Sequence, residues 1–169
     1  FDCGVLGTGE ERKAYEKLAE KLEAAAKRSK NYGYMFESYA ALARVLAVKY
    51  DLGYLTREAY EKGDKNALAA LLPDYEKTLE NLEKFVAVYE KQWMKENKPH
   101  GFDVQDIRLG GIIRRTKSCT RRLKAYLNGE LEKIEELEEA TVDFTTGGEP
   151  QKNGAWCNHY NTIATANIL

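Results

Sequence analysis

Prolines are scarce, three in 169 residues, so little in the chain interrupts a long helix, and a Pro-rich or disordered polymer is excluded. Cysteine is almost as scarce. Cys3, Cys119 and Cys157 are an odd number without C-x-x-C spacing, which points away from both a disulfide framework and a zinc knuckle. Reduced thiols, and hence a cytoplasmic setting, are the expectation, with a Cys3–Cys157 bridge between the termini as the lesser alternative. Histidine occurs twice, at 100 and 159, and no His/Cys/carboxylate set has ligand spacing, so neither a metal nor a cofactor is expected. Apolar runs long enough to span a membrane are missing, and no membrane partner is expected. The start, Phe1-Asp2-Cys3-Gly4, carries neither an initiator Met nor the layout of a secretion signal. A soluble chain, processed or excised from a longer one, is therefore expected.

Charge of one sign is also missing overall, with 26 Lys+Arg against 27 Asp+Glu. The balance conceals two opposed blocks. Residues 103–128 hold seven basic residues against two acids, and residues 130–149 hold eight acids against one lysine. Adjacent blocks of opposite sign are expected to satisfy each other or to be solvated. Nucleic acid is not an expected partner, because the basic stretch lacks aromatic or glycine-rich readers.

What is abundant is helical periodicity. Thr8-Gly9-Glu10-Glu11 has the form of a capping box, and Tyr15, Leu18, Leu22 and Ala25/Ala26 follow at 3–4 spacing. Asn31-Tyr32-Gly33 breaks this first helix. A second carries Met35, Phe36, Tyr39, Leu42, Ala43, Leu46 and Tyr50 and is expected to stop at Gly53, as the central helix. Thr56 and Asp64 read as N-caps of short helices over 57–62 and 65–72. A third long helix is expected to enter through Pro73 and run to about Asn97, with Tyr75, Leu79, Leu82, Phe85, Tyr89 and Trp93 on one stripe. After Lys98-Pro99-His100-Gly101, Asp103 is the expected cap of a fourth, closed by Gly129, and Leu131, Ile134 and Leu137 mark a further acidic helix.

The expected fold is all-α: an antiparallel bundle of four long helices plus short ones, with an irregular C-terminal tail. The bundle domain is assigned to 1–142. Residues 143–169 form a Gly-containing linker and an apolar docking tail with Trp156, Tyr160, Ile163 and Ile168.

The fourth helix is the most informative. Its expected core face is Leu109, Ile112/Ile113, Thr116, Cys119, Leu123 and Leu127, and Arg108, Arg115 and Arg122 line one shoulder. Ion pairs with a neighbouring helix are the ordinary fate of such arginines. Ile107 points away from the core face, and Gly110-Gly111 costs roughly 1 kcal/mol per glycine against alanine, so close approach of another backbone is expected there. His100, Asp103 and Asp106 gather near one turn without a positioned nucleophile, so catalysis is not expected of them. Gly4–Gly9 lacks the Lys-Ser/Thr of a phosphate loop.

The run from Gln92-Trp93 through Glu96-Asn97-Lys98-Pro99-His100-Gly101-Phe102-Asp103-Val104-Gln105-Asp106-Ile107-Arg108-Leu109-Gly110-Gly111 resembles the helical C-terminal domain of bacterial exo-β-N-acetylhexosaminidases of glycoside hydrolase family 20. Lys49-Tyr50-Asp51-Leu52-Gly53 and Ile134-Glu135-Glu136-Leu137-Glu138-Glu139 add to the likeness, which spans roughly residues 30–140. The resemblance implies that the chemistry belongs to a (β/α)8 barrel of the same polypeptide. There an Asp-Glu pair acts with the substrate's own 2-acetamido group, unlike the two-carboxylate scheme of most glycosidases. It implies no catalytic residue in this chain. The implied roles are packing on the barrel and contributing to a homodimer interface or to the rim of the substrate pocket, with Trp93, His100, Asp106, Ile107, Arg108, Gly110, Gly111 and Trp156 as candidate interface residues. A freestanding helical interaction module, docking an acidic partner on its basic helix, is the alternative from another class.

Overall fold

The structure is a computed structural model that describes residues 9–139. The expected linker and tail with Trp156, the capping residue Thr8, and Cys3, Cys157 and His159 lie outside the described residues. Six helices follow in order: α1 (Glu10–Arg28), α2 (Gly33–Lys49), α3 (Leu52–Glu61), α4 (Lys65–Glu96), α5 (Phe102–Leu127) and α6 (Glu135–Glu138). No strand occurs among the described residues, and none of their helices is long and apolar enough to cross a membrane.

The long helices pack in the order α1 on α2, α2 on α4, and α4 on α5. Side-chain bonds fix their directions. Tyr34 reaches Glu96 at 2.9 Å, and Asn81 donates to the Arg44 carbonyl at 2.9 Å, so α2 and α4 run antiparallel. Lys124 meets Glu76 and Lys117 meets Glu83, which sets α5 antiparallel to α4. The expected all-α antiparallel bundle is what forms, with α2 central between α1 and α4.

Several boundaries differ from expectation. α1 begins at Glu10 after Gly9, whose φ of 84° and lack of a side-chain cap replace the expected capping box. Its buried residue is Ala19, whereas Leu18 is 44% exposed. Tyr15, Leu22, Ala25 and Ala26 of the expected face are half-buried, and Arg12 pairs with Asp74 of α4 at 2.7 Å and Glu23 with Arg44 of α2 at 3.0 Å. Gly53 does not end α2. It lies buried inside α3, which starts at Leu52, so Thr56 sits inside that helix and not at its cap. There the Thr56 hydroxyl donates to the Leu52 carbonyl at 2.7 Å, and the Tyr75 hydroxyl, 2.8 Å away, donates to it in turn. The expected short helix over 65–72 is continuous with the third long one, and Pro73 lies within the 32 residues of α4. An interior proline removes one ladder bond and costs about 3 kcal/mol or more in isolation. Burial of Leu68, Tyr75, Thr78, Asn81 and Leu82 on either side of Pro73 holds the helix through it. Asp64 is the cap the sequence indicates, accepting from the Ala67 N–H at 2.9 Å.

One buried cluster forms where Leu52, Ala59, Leu68, Tyr75, Cys119, Leu123, Ile134 and Leu137 of α3, α4, α5 and the α6 segment meet. Arg57 closes that end. Its guanidinium donates to the carbonyls of Leu137 and Glu139 at 3.1 Å and of Glu136 at 3.3 Å. Tyr60 donates to Glu138 at 2.6 Å while accepting from the Ile134 N–H at 3.0 Å.

At the other end α1 and α2 meet through Gly33, where an added Cβ would lie 2.8 Å from the Ala26 carbonyl oxygen. A main-chain atom cannot swing aside as a side-chain tip can. Gly33→Ala is accordingly expected to destabilise the chain by about 1–3 kcal/mol, the usual range for forced overpacking, read as a lower urea midpoint at unchanged slope.

Candidate docking surface

Trp93, near the end of α4, organises the entry into α5. Its indole N–H donates to the Lys98 carbonyl at 2.9 Å, and its ring lies 5.7 Å from Phe102 and 6.2 Å from Tyr89, centroid to centroid. Phe102 is thereby buried as the first residue of α5. The residue before it is Gly101 at φ 95°, so the expected cap at Asp103 is displaced by two positions and Asp103 falls in the first turn. A left-handed backbone at 101 favours glycine. Trp93 also stands 3.7 Å from where a Gly101 Cβ would be.

The two halves of α5 differ. In the second half Thr116, Cys119 and Leu123 of the expected core face are buried, Leu127 is half-buried, and Thr120, not expected there, is buried with them. In the first half Leu109 and Ile113 are half-buried, and Ile112, expected in the core, is 39% exposed. His100, Asp106, Ile107, Arg108, Gly110 and Gly111 are all exposed, Ile107 at 41%. They line the turn and the first half of α5, whereas Trp93 is half-buried beneath that turn.

The glycine pair does not meet another backbone within the described residues. A Cβ at Gly110 or Gly111 would have no neighbour within 4 Å, and α5 runs through both without a break. Close approach is therefore not the reason for the pair inside this bundle.

The arginine shoulder is partly explained by the acidic segment. Arg115 forks onto Glu136 at 3.0 and 3.2 Å, and Arg122 pairs with Glu135, so the basic and acidic blocks do compensate each other. The Arg115 hydrogen bond holds Glu136 below the usual carboxylate range. Glu135 is also lowered, first by its own backbone N–H and then by the Arg122 charge. Arg57 and Tyr60, which complete this clamp, were not singled out from sequence. Most of their partners are main-chain groups about 80 residues on, which leave no side-chain signature.

No group of three or more metal-ligating side chains occurs among the described residues. A groove of about 530 Å³ runs between α1 and α4 over α2, floored by Ala40 and Ala41. Its Glu23 is held by Arg44, and its Lys77 and Lys84 are held by Glu80, whose carboxyl they depress to about 2. Its charges are largely committed to one another.

Residues 1–156 match the family model described as the glycoside hydrolase 20C C-terminal domain. The chain belongs to that family. None of the curated proteins matches it. By family the chain is a non-catalytic C-terminal domain of a glycoside hydrolase, with a catalytic domain as its partner in the same polypeptide.

Two outcomes follow from this surface. Gly110→Ala and Gly111→Ala in the isolated chain should each raise stability by roughly 0.5–1 kcal/mol, since both are helical with open space around them. Urea denaturation reads the gain. The clamp on α6 should weaken in acid. Glu135 and Glu136 titrate lower folded than unfolded, so their contribution is complete above about pH 4.5 and is lost as pH falls through their depressed values. Melting curves between pH 6 and about pH 3 should fall less steeply for Glu136→Gln than for the parent sequence.

Proposed function

We propose that this chain is the helical companion of the catalytic (β/α)8 barrel in a β-N-acetylhexosaminidase releasing terminal β-linked N-acetylglucosamine or N-acetylgalactosamine. The first half of α5 packs on that barrel. Family membership supplies the partner, and one observation carries the choice of face: Ile107, Gly110 and Gly111 are exposed together on a helix whose second half is well packed. Adjacent glycines inside a helix forfeit stability in a lone bundle. Against a neighbouring domain they let backbone approach without an intervening side chain. Ile107 adds an apolar contact beside them, and Asp106, Arg108 and His100 give the polar rim that such an interface carries. Trp93 acts from below by fixing the turn that aims α5. Trp156 belongs to the same set of candidate contacts but lies outside the described residues. A homodimer contact is part of the proposal, and the mass of the full-length enzyme in solution checks it.

The test is Ile107→Asp in the full-length enzyme and in this chain. An exposed change should leave the isolated chain within about 0.5 kcal/mol of its original stability. The full-length enzyme should lose thermal stability or hydrolytic activity toward a chromogenic N-acetylglucosaminide. An unaffected full-length enzyme would refute the assignment of the face. The isolated chain is expected to show no turnover of the same substrate.

A further inference from the structure

The outward face of α5 carries two arginines that the described bundle does not use. At 100° per residue, Ile107, Gly110, Gly111, Arg114 and Arg121 fall within one arc of about 100°. All five are exposed. The basic residues on both flanks of this arc have partners. On one flank Lys117 reaches Glu83 and Lys124 reaches Glu76, both of α4. On the other, Arg115 and Arg122 reach Glu136 and Glu135 of the α6 segment. Arg114 and Arg121 lie between the flanks and form no ion pair or hydrogen bond among the described residues. Within α5 no carboxylate stands three or four residues from either, where Gly110, Gly111, Lys117, Ser118, Lys124 and Ala125 are found. Asp103, the one acid on the arc, lies about 16 Å before Arg114 along the helix.

The glycine pair decides what these arginines need. A domain seated on the backbone at Gly110 and Gly111 comes closer to the helix axis than side chains ordinarily permit. Arg114 is one turn further along the same face, so the approach strips water from its guanidinium. A desolvated guanidinium is tolerated where a carboxylate meets its fork and is strongly unfavourable where none does. The described bundle supplies no such carboxylate, so the neighbour has to. Arg121 continues the line about 10 Å beyond. We propose, resting on the reading that this face of α5 meets the catalytic domain, that Arg114 and Arg121 each pair with a carboxylate of that domain. The glycines then set the distance between the domains and the arginines set the register, against an acidic surface.

Charge reversal tests this. In the 169-residue chain, Arg114→Glu and Arg121→Glu should melt no lower than the original. A glutamate at either place stands three residues before Lys117 or Lys124 and gains a neighbour that arginine repels. In the full-length enzyme each should lower the melting midpoint by about 3 °C or more. A scan of single Asp→Lys and Glu→Lys changes on the surface of the catalytic domain should then find one that restores the Arg114→Glu variant. An unchanged midpoint in the full-length enzyme, or a scan without a rescuing lysine, would overturn the proposal. If Ile107→Asp still weakens that enzyme, the face docks without carboxylates and only the pairing fails; if it does not, the face assignment fails too. An equal drop in the 169-residue chain would put the counter-charges within this chain, and a drop that accompanies loss of a dimer in light scattering would put them on a second copy. Either result overturns it.

Discussion

The buried side of α4, carrying Leu68, Tyr75, Thr78, Asn81 and Leu82, is the surface that α2, α3 and α5 share. Burial of that stripe removes enough apolar area to hold a helix with a proline at its ninth position. A fully buried leucine alone contributes roughly 1.5–3 kcal/mol, comparable to the cost of the missing ladder bond. The same burial demands that polar groups on the stripe find partners. Asn81 does so on the Arg44 carbonyl, and Tyr75 on Thr56. The Thr78 hydroxyl, also buried, finds none among the described residues.

Closure of one end depends on main-chain recognition at long range. A four-residue helix has little stability of its own. The α6 segment persists because Ile134 and Leu137 are buried and Arg57 collects three of its carbonyls. The glutamates on either side of Leu137 then meet Arg115 and Tyr60. Such exposed ion pairs are individually weak. Their effect is on placement: they fix the line along which the chain leaves α6.

The long helices, their order and the central place of α2 were legible because periodicity is a local property that packing rarely overrides over fifteen residues. Boundaries were less so. Gly53 and Thr56 look like a stop and a start, yet tertiary burial of Leu52, Gly53 and Thr56 draws both into one helix. Pro73 looks like an entrance for the same reason, because the sequence shows the missing N–H but not the buried residues on both sides of it. The α5 core face was readable from Thr116 onward and misleading before it. Ile112 has the spacing of a core residue and lacks the cover. Opposed charge blocks predicted their own compensation, whereas Arg57 gave no local signal.

An unevenly finished core also bears on what a companion domain requires. Were α5 covered along its whole length, a neighbouring barrel would meet only a charged surface and the interface would be weak and polar. With the second half of α5 anchored through Thr116, Cys119, Thr120 and Leu123, the first half holds Ile107 and the glycine pair, exposed among charged side chains, on a rigid support. Rigidity matters because ordering a loose surface on contact subtracts from the binding it provides. Under the proposed docking of α5 on the catalytic domain, the glycine pair costs stability within the bundle and gains it only against another backbone. An alanine at 110 or 111 that strengthens the isolated domain should then weaken its hold on that partner.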